Sequence, residues 1–417
     1  GRGSHCACLA RESASDVDGV MSLSAFVRSS SDWLGFLFSE GRIDLSPSRF
    51  LSLPTTSVMT GVSASLPSAD RVIGMLIGLA IGDSLGNTCE SMTPSARRAA
   101  HGEVRGYLPN KHVRCRAVGL PSDDTQLTAW TLECLLEDGG VVPEHIADAI
   151  CYGGEIYGIG STVKEFIKNY KAGMAWYECG PHSAGNGAIM RIAPIILPHL
   201  RNPSPWLWTD TAVCASITHN DVASNAACIA WIDLLWNALH MKSAPDSLFW
   251  PSRYVAVAGQ LEGDPSCSAS GPWAAGAITG AAHAPAYRSR SPHYPDWRGT
   301  LAGFVSATLP SMYADRVAVI DACNRIQSGA YLLETIPCVL YILMNHAQDP
   351  IEAVVRAVND TWDNDTIAGL VGSMVGAIHG LSAFPKPWVY SLLGRTRADD
   401  DGHLFRLVCD AISRWMS

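Results

Sequence analysis

The run VIGMLIGLAI at residues 72 to 81 carries Gly74 and Gly78, and Gly82 follows at the same spacing of four. Residues four apart share one face of a helix, so the three glycines leave a bare ridge along an otherwise apolar element. Each costs about 1 kcal/mol of helix propensity relative to alanine. Such a cost is tolerated where a second helix must come unusually close. The run is too short to cross a bilayer and is closed by Arg71 and Asp83, so it predicts a buried helix with a close helical partner rather than a membrane span.

The rest of the chain agrees with helix-on-helix packing. Residues 67 to 240 and 305 to 417 carry apolar positions at helical period, and no run of alternating strands stands out. With 417 residues and 47% apolar content the chain can bury a large core. The expected fold is all-α, a single large orthogonal helical bundle spanning residues 67–417. Residues 243–300 are thick with Pro, Gly, Ser and aromatics (SASGPW, HAPAYRSRSPHYPDWRG) and read as an irregular insertion. Residues 1–66 read as a tag remnant, GRGSH, followed by a non-globular N-terminal arm rich in Ser and Leu. Two readings of the arm stand: a disordered leader, or a segment that docks on something through Trp33, Phe36, Leu37 and Phe38, which are costly to leave wet.

The formal charge of −9 argues against a general nucleic-acid binder, which needs a basic face for phosphates. Thirteen cysteines, an odd number with no CxxC pair, suit a reducing compartment better than a disulfide framework. Together with the lack of a convincing signal peptide, they predict a cytoplasmic protein without a membrane partner.

Chemistry enters at PSDDTQLTAW, residues 121 to 130. Leu127, Trp130, Cys134 and Leu135 recur at helical spacing, Gly139-Gly140 supplies a stop, and Ser122 is placed to cap the helix start. Asp123 and Asp124 then fall in the first turn, where the helix dipole stabilises each by roughly 0.3–1 kcal/mol without any function being needed. A second stretch, WDNDTIAGLVGSMVGAIHG, repeats the grammar with Asp363, Asp365 and Thr366. If the two helix starts meet, four carboxylates converge. Each close pair then costs on the order of 3 kcal/mol at about 5 Å and an effective dielectric of ~20, more than dipole terms can offset. Bound divalent cations relieve that repulsion, and an all-oxygen set suits Mg²⁺ or Mn²⁺ rather than Zn²⁺.

Read in order, GLAIGDSLGNTCE, SDDTQ, GNGAIMRIAP, SITHND, SGAYLLET and DNDTIAG resemble the motifs of the ADP-ribosylglycohydrolase family, the enzymes like dinitrogenase reductase-activating glycohydrolase. The resemblance covers roughly residues 70 to 390. It implies an all-helical hydrolase with two divalent cations, Mg²⁺ or Mn²⁺, that removes ADP-ribose from a modified side chain or small molecule. By position, Ser122, Asp123, Asp124, Asp363, Asp365 and Thr366 match metal-binding residues, and Glu90 matches the acidic residue after the GDxLG turn. Gly185, Asn186 and Gly187 match a loop whose backbone approaches the diphosphate. Tyr331 matches an aromatic near the adenosine, His219 lies in a Thr-His-Pro-Asp motif written here as THND, and His182 precedes the loop as an anion contact or a surface residue. Ser122 stands where Thr is commoner, and Thr361-Trp362 where many members have Gly-Gly, which puts substrate preference in doubt rather than the metal site.

Hydrolysis at a ribose builds positive charge at the anomeric carbon, which nearby carboxylates stabilise. One of Asp123, Asp124, Asp363, Asp365 or Glu90 would accept the proton of the attacking water, with Asp123, Asp124 and Glu90 the catalytic candidates. Arginine-linked ADP-ribose on a protein is the leading substrate expectation. Further alternatives are a serine or small-molecule linkage, or a non-catalytic binding protein on the same scaffold. The partner could also be an ADP-ribosyltransferase toxin blocked by the arm, an immunity role in which residues 6 to 66 are dispensable for hydrolysis.

Overall fold

The structure, a computed structural model, describes residues 28–53, 65–264, 286–398 and 400–417. The glycine ridge lies on an 18-residue helix, Ala69–Gly86, capped by the Ser68 hydroxyl. Its partner is Asn364–His379, and the two form the most extensive helix pair among the described residues. The closeness is backbone to backbone. A Cβ on Gly74 would stand 2.5 Å from the Gly376 carbonyl oxygen, and one on Gly78 or Gly82 would overlap the carbonyls of Gly372 and Ala368. The partner answers in kind, since a Cβ on Gly372 or Gly376 would strike the Gly78 and Gly74 carbonyls. The ridge therefore fixes both the separation of this pair and the positions of the residues at its ends.

Around the pair lie the helices Asp123–Asp138, Val222–His240, Leu332–His346 and Pro350–Asp360, all with buried faces. The strand content of the described residues is one short antiparallel pair, Tyr287–Arg288 with Arg298–Gly299. The fold is all-α, as expected. Ala69–Cys89 and Val222–His240 are long and apolar enough to cross a membrane, yet 83% and 89% of their apolar windows are buried inside the fold. The apolar run thus belongs to a longer helix than its own ten residues suggested, and core packing accounts for its character.

Two expectations need correction. Residues 28–53 are not a non-globular arm. Helix Ser30–Ser39 has a reciprocal capping box at Ser29 and Asp32, and it buries Trp33, Leu34 and Leu37. Trp33 meets Trp176 edge-on at 5.1 Å, Phe36 meets Tyr177 at 5.2 Å, and Ile43, Leu45, Phe50 and Leu53 join the same core. The aromatics do dock, but on the chain's own domain. The rest of the arm, 1–27 and 54–64, lies outside the described residues. Likewise, the stretch 243–300 is not irregular throughout: Phe249–Glu262 is a helix burying Trp250, Tyr254, Val257, Ala258 and Leu261. Pro251 sits in its first turn, where no intrahelical N–H is lost. Residues 265–285 of that stretch also lie outside the described residues.

Candidate active site

The C-terminal end of the glycine helix delivers Asp83, fully buried, to the start of helix Asp123–Asp138. Asp83 accepts hydrogen bonds from the Ser122 N–H at 2.8 Å, the Ser122 hydroxyl at 2.6 Å, the Thr125 hydroxyl at 2.5 Å and Asn87 Nδ2 at 3.0 Å. Ser122 therefore holds the N-cap position but not the N-cap bond, because its hydroxyl is turned toward Asp83. Asp83 was not singled out as a site residue from the sequence. Its place inside GDSLG, directly after the glycine ridge, was the available signal.

The start of helix Asn364–His379 meets the start of Asp123–Asp138: the Thr366 hydroxyl donates to Asp124 Oδ2 at 3.3 Å. Two acidic groups result. Asp83, Asp124 and Asp365 bring one carboxylate oxygen each within 4.8 Å of one another, and Glu90, Asp363 and Asp365 do the same. Asp365 belongs to both. Asp123 stands beside them, its N–H bonded to the Tyr157 carbonyl at 2.7 Å. Asn186 Nδ2 donates to Asp363 Oδ2 at 2.6 Å and so ties the GNG loop to the acidic centre.

The electrostatics record the crowding. Burial, with the neighbouring Asp83 and Glu90, pushes the Asp123 carboxyl up to about 8. Asp124 is raised by burial and by Asp123 and Asp83, and Asp365 by burial and by Asp363, Asp124, Glu90 and Asp83. Asp363 is raised by burial, opposed by the Asn186 hydrogen bond. Glu90 opens to solvent but is hemmed in by protein; desolvation raises its carboxyl first, then Asp363 and Asp83. The donors in both groups are carboxylate oxygens, with no Cys or His, and this set fits a hard divalent cation of the Mg²⁺ or Mn²⁺ kind.

The acidic centre forms one end of a cavity of about 500 Å³. The GNG loop lines it, held in place by a bridge between Gly185 and Tyr331, with the Asn186 N–H on the Ala330 carbonyl at 3.0 Å. The glycines here answer to His219. A Cβ on Gly187 would lie 2.6 Å from His219 Cε1, so the ring fills the space a side chain would need. His219 is buried, with Nδ1 3.0 Å from the Thr218 hydroxyl. Burial and the nearby Arg191 lower its pKa to about 3, which makes it a neutral imidazole. The Tyr331 ring lies in the cavity wall beneath the Arg290 guanidinium, 4.3 Å from the ring centre. His182 reaches the rim, largely exposed, with Nδ1 2.6 Å from Asp44 Oδ2.

The THND departure has a visible cause. The Asn220 N–H donates to the Pro181 carbonyl at 3.0 Å, a bond proline could not make. Its side chain accepts from the Asp44 N–H at 2.9 Å and donates to the Arg42 carbonyl at 2.8 Å, clamping the N-terminal segment beside the site.

These observations define a class: an all-helical protein that carries paired, oxygen-only acidic groups at the end of a ligand-sized cavity. The chain belongs to the ADP-ribosylglycohydrolase family, whose model matches residues 64–413. It is 25% identical over 341 residues to the ADP-ribosyl-[dinitrogen reductase] glycohydrolase of Rhodospirillum rubrum, covering 80% of this chain and 92% of that one. It is 25% identical over 339 residues to the ADP-ribosylarginine hydrolase Tri1 of Pseudomonas putida, covering 77% and 73%. A solved structure described as an ADP-ribosylglycohydrolase-related protein complex superposes with a TM-score of 0.57 at 22% identity, over 84% of this chain and 98% of that one. That likeness supports the fold.

Proposed function

We propose that the chain is a metal-dependent hydrolase that releases ADP-ribose from modified protein side chains, with arginine the preferred linkage. The observation that carries the reading is the convergence of Asp83, Asp124 and Asp365 with Glu90 and Asp363 at one end of the 500 Å³ cavity. The arginine preference draws support from relatives named for dinitrogen reductase and for ADP-ribosylarginine.

Asp83, Asp124, Asp365, Asp363 and Glu90 are the residues that would hold two divalent cations, with Ser122, Asp123 and Thr366 beside them. Cations bound there supply positive charge that offsets the carboxylates and orients the ribose hydroxyls. The chain's own residues supply the rest. The carboxylates of the acidic centre would stabilise the positive charge that develops on the anomeric carbon. Asp123, raised to about 8, and Glu90, raised by burial and by Asp363 and Asp83, both line the cavity wall and are the carboxyls placed to take and return a proton. Asn186 holds Asp363 in place, and neutral His219 props the loop against which the diphosphate would lie.

A role in neutralising an ADP-ribosylating partner would have to be carried by residues outside 28–53, because that segment is committed to internal packing. The test is release of ADP-ribose from an arginine-modified protein, with and without chelator. Asp123→Ala and Asp365→Ala should abolish release while circular dichroism remains helical. Near-parental turnover by either variant, or by the parent in chelator, would refute the assignment.

A further inference from the structure

A second cavity, about 920 Å³, lies on the other side of the acidic centre, and Glu90, Asp363, Arg290 and Ala330 belong to the walls of both. The two cavities thus meet at the residues that would act on the glycosidic bond. The first has the glycine loop and Tyr331 for ADP-ribose. The second is walled by three carboxyls, Glu90, Asp363 and Glu334, and by the half-exposed indole of Trp362.

Glu334 is the feature that asks for a ligand. It sits in the first turn of Leu332–His346, only 6% exposed. One carboxylate oxygen rests against Gly329, where any Cβ would collide with it, and the Gly329 backbone hydrogen bonds to the carboxylate. The other oxygen, Oε1, is buried with no hydrogen-bond partner. A buried acceptor left unpaired costs on the order of 1–3 kcal/mol, more when charged, so its retention calls for a donor from outside the chain. Of the two arginines in the cavity wall, Arg98 acts on Asp360, while Arg290 lies over Tyr331 and its charge also lowers the Glu334 carboxyl against the burial that raises it, without a hydrogen bond to Oε1. Neither forms an ion pair with Glu334 among the described residues.

Resting on the hydrolase reading above, we propose that this second cavity is the leaving-group subsite, and that it selects a cationic guanidinium through Glu334, with Trp362 covering the planar face. A guanidinium brings N–H donors to the unpaired oxygen and a flat cation to an indole. A serine hydroxyl brings no charge to it, and a phosphate brings no N–H donor to the unpaired oxygen.

The probe is agmatine, an alkylguanidinium, titrated calorimetrically into the full chain with Mg²⁺ and saturating ADP-ribose. The parent should bind it, Glu334→Gln should weaken binding about tenfold or more, and Trp362→Ala about two- to fivefold. ADP-ribose affinity should stay within twofold in both. Trp362 is half exposed, so its variant tests the idea without endangering the fold. Absence of agmatine binding to the parent, parental agmatine affinity in Glu334→Gln, or an equal loss of ADP-ribose affinity would overturn the proposal. Hydrolysis separates the two readings. A parent that cleaves arginine-linked ADP-ribose, with KM unchanged in Glu334→Gln, keeps the hydrolase and loses the subsite. A parent that binds agmatine through Glu334 but cleaves nothing keeps a guanidinium site at Glu334 and loses the hydrolase, and with it the leaving-group role.

Discussion

Gly82→Ala should damage both the fold and the site, and the geometry says by how much. The new methyl would overlap the carbonyl oxygen and carbon of Ala368 and crowd the Gly369 nitrogen, all backbone atoms that no rotamer change can move aside. Reaching ordinary contact near ~3.5 Å requires the helices to part by more than about 1 Å. Overpacking of this kind costs about 1–3 kcal/mol, against which alanine's better helix propensity returns at most about 1 kcal/mol. The net loss of stability should therefore reach about 2 kcal/mol after the full propensity gain is subtracted from the upper end of that range. Activity should fall further. Asp83 adjoins Gly82 and Asp365 lies one turn before Ala368, so parting the helices separates carboxylates now grouped within 4.8 Å. A misplacement near 1 Å is worth roughly 100-fold in rate. Gly369→Ala is the internal control on the same crossing: its Cβ would meet the Leu79 carbonyl oxygen at 3.5 Å, ordinary contact, so it should match or slightly exceed parental stability. Thermal unfolding and ADP-ribose release would be measured for both. Parental behaviour of Gly82→Ala, or equal damage from Gly369→Ala, would refute the reasoning.

Three further outcomes follow from the site and its surroundings. In chelator, Asp123 titrates near 8 when folded and near 3.8 when unfolded, so the folded chain holds the extra proton and stability should fall as pH rises between about 4 and 8; a flat or rising melting profile from pH 5 to 9 would contradict this, and Asp123→Asn should lessen the slope. Deleting residues 1–53 removes Trp33, Leu34, Leu37 and Phe50 from the core, each worth roughly 1.5–3 kcal/mol when buried. The truncated chain should be insoluble or strongly destabilised, and an unchanged melting temperature would show the segment to be dispensable after all. Gly187→Val should weaken ADP-ribose binding by pressing on His219, and adding His219→Ala should recover part of the loss; a double variant no better than the single would place the obstruction elsewhere.

What could be read from the sequence were features whose cause is local or periodic. The spacing of Gly74, Gly78 and Gly82 foretold a close helix crossing because small residues on one face have few other uses. The aspartate clusters showed that, if their two helix starts met, the charge would need a cation, but not that the starts meet. Asp83 escaped notice since a single aspartate at the end of an apolar run looks like a boundary, and its role appears only when Ser122 and Thr125 arrive from another helix. Trp33 and Phe36 showed that something must cover them, but Trp176 and Tyr177 lie some 140 residues away, and no local pattern names such a partner. The helix Phe249–Glu262 was hidden by the proline and glycine around it, although its own apolar spacing was regular. Asn220 is legible only as a departure from THPD, since what it grips is backbone from a different part of the chain.

The glycine crossing also divides what this scaffold can change over generations from what it cannot. Gly74, Gly78, Gly82, Gly372 and Gly376 admit no side chain without moving backbone, so substitution at these positions costs stability whatever reaction the protein performs. Asp123 and Glu90 carry no such burden: each stands in a cavity wall where a neutral replacement relieves charge rather than creating strain. A chain that loses either carboxyl can therefore keep its shape. Loss of the crossing, by contrast, reaches the site directly, because Asp83 and Asp365 are carried on the two helices that the glycines bring together.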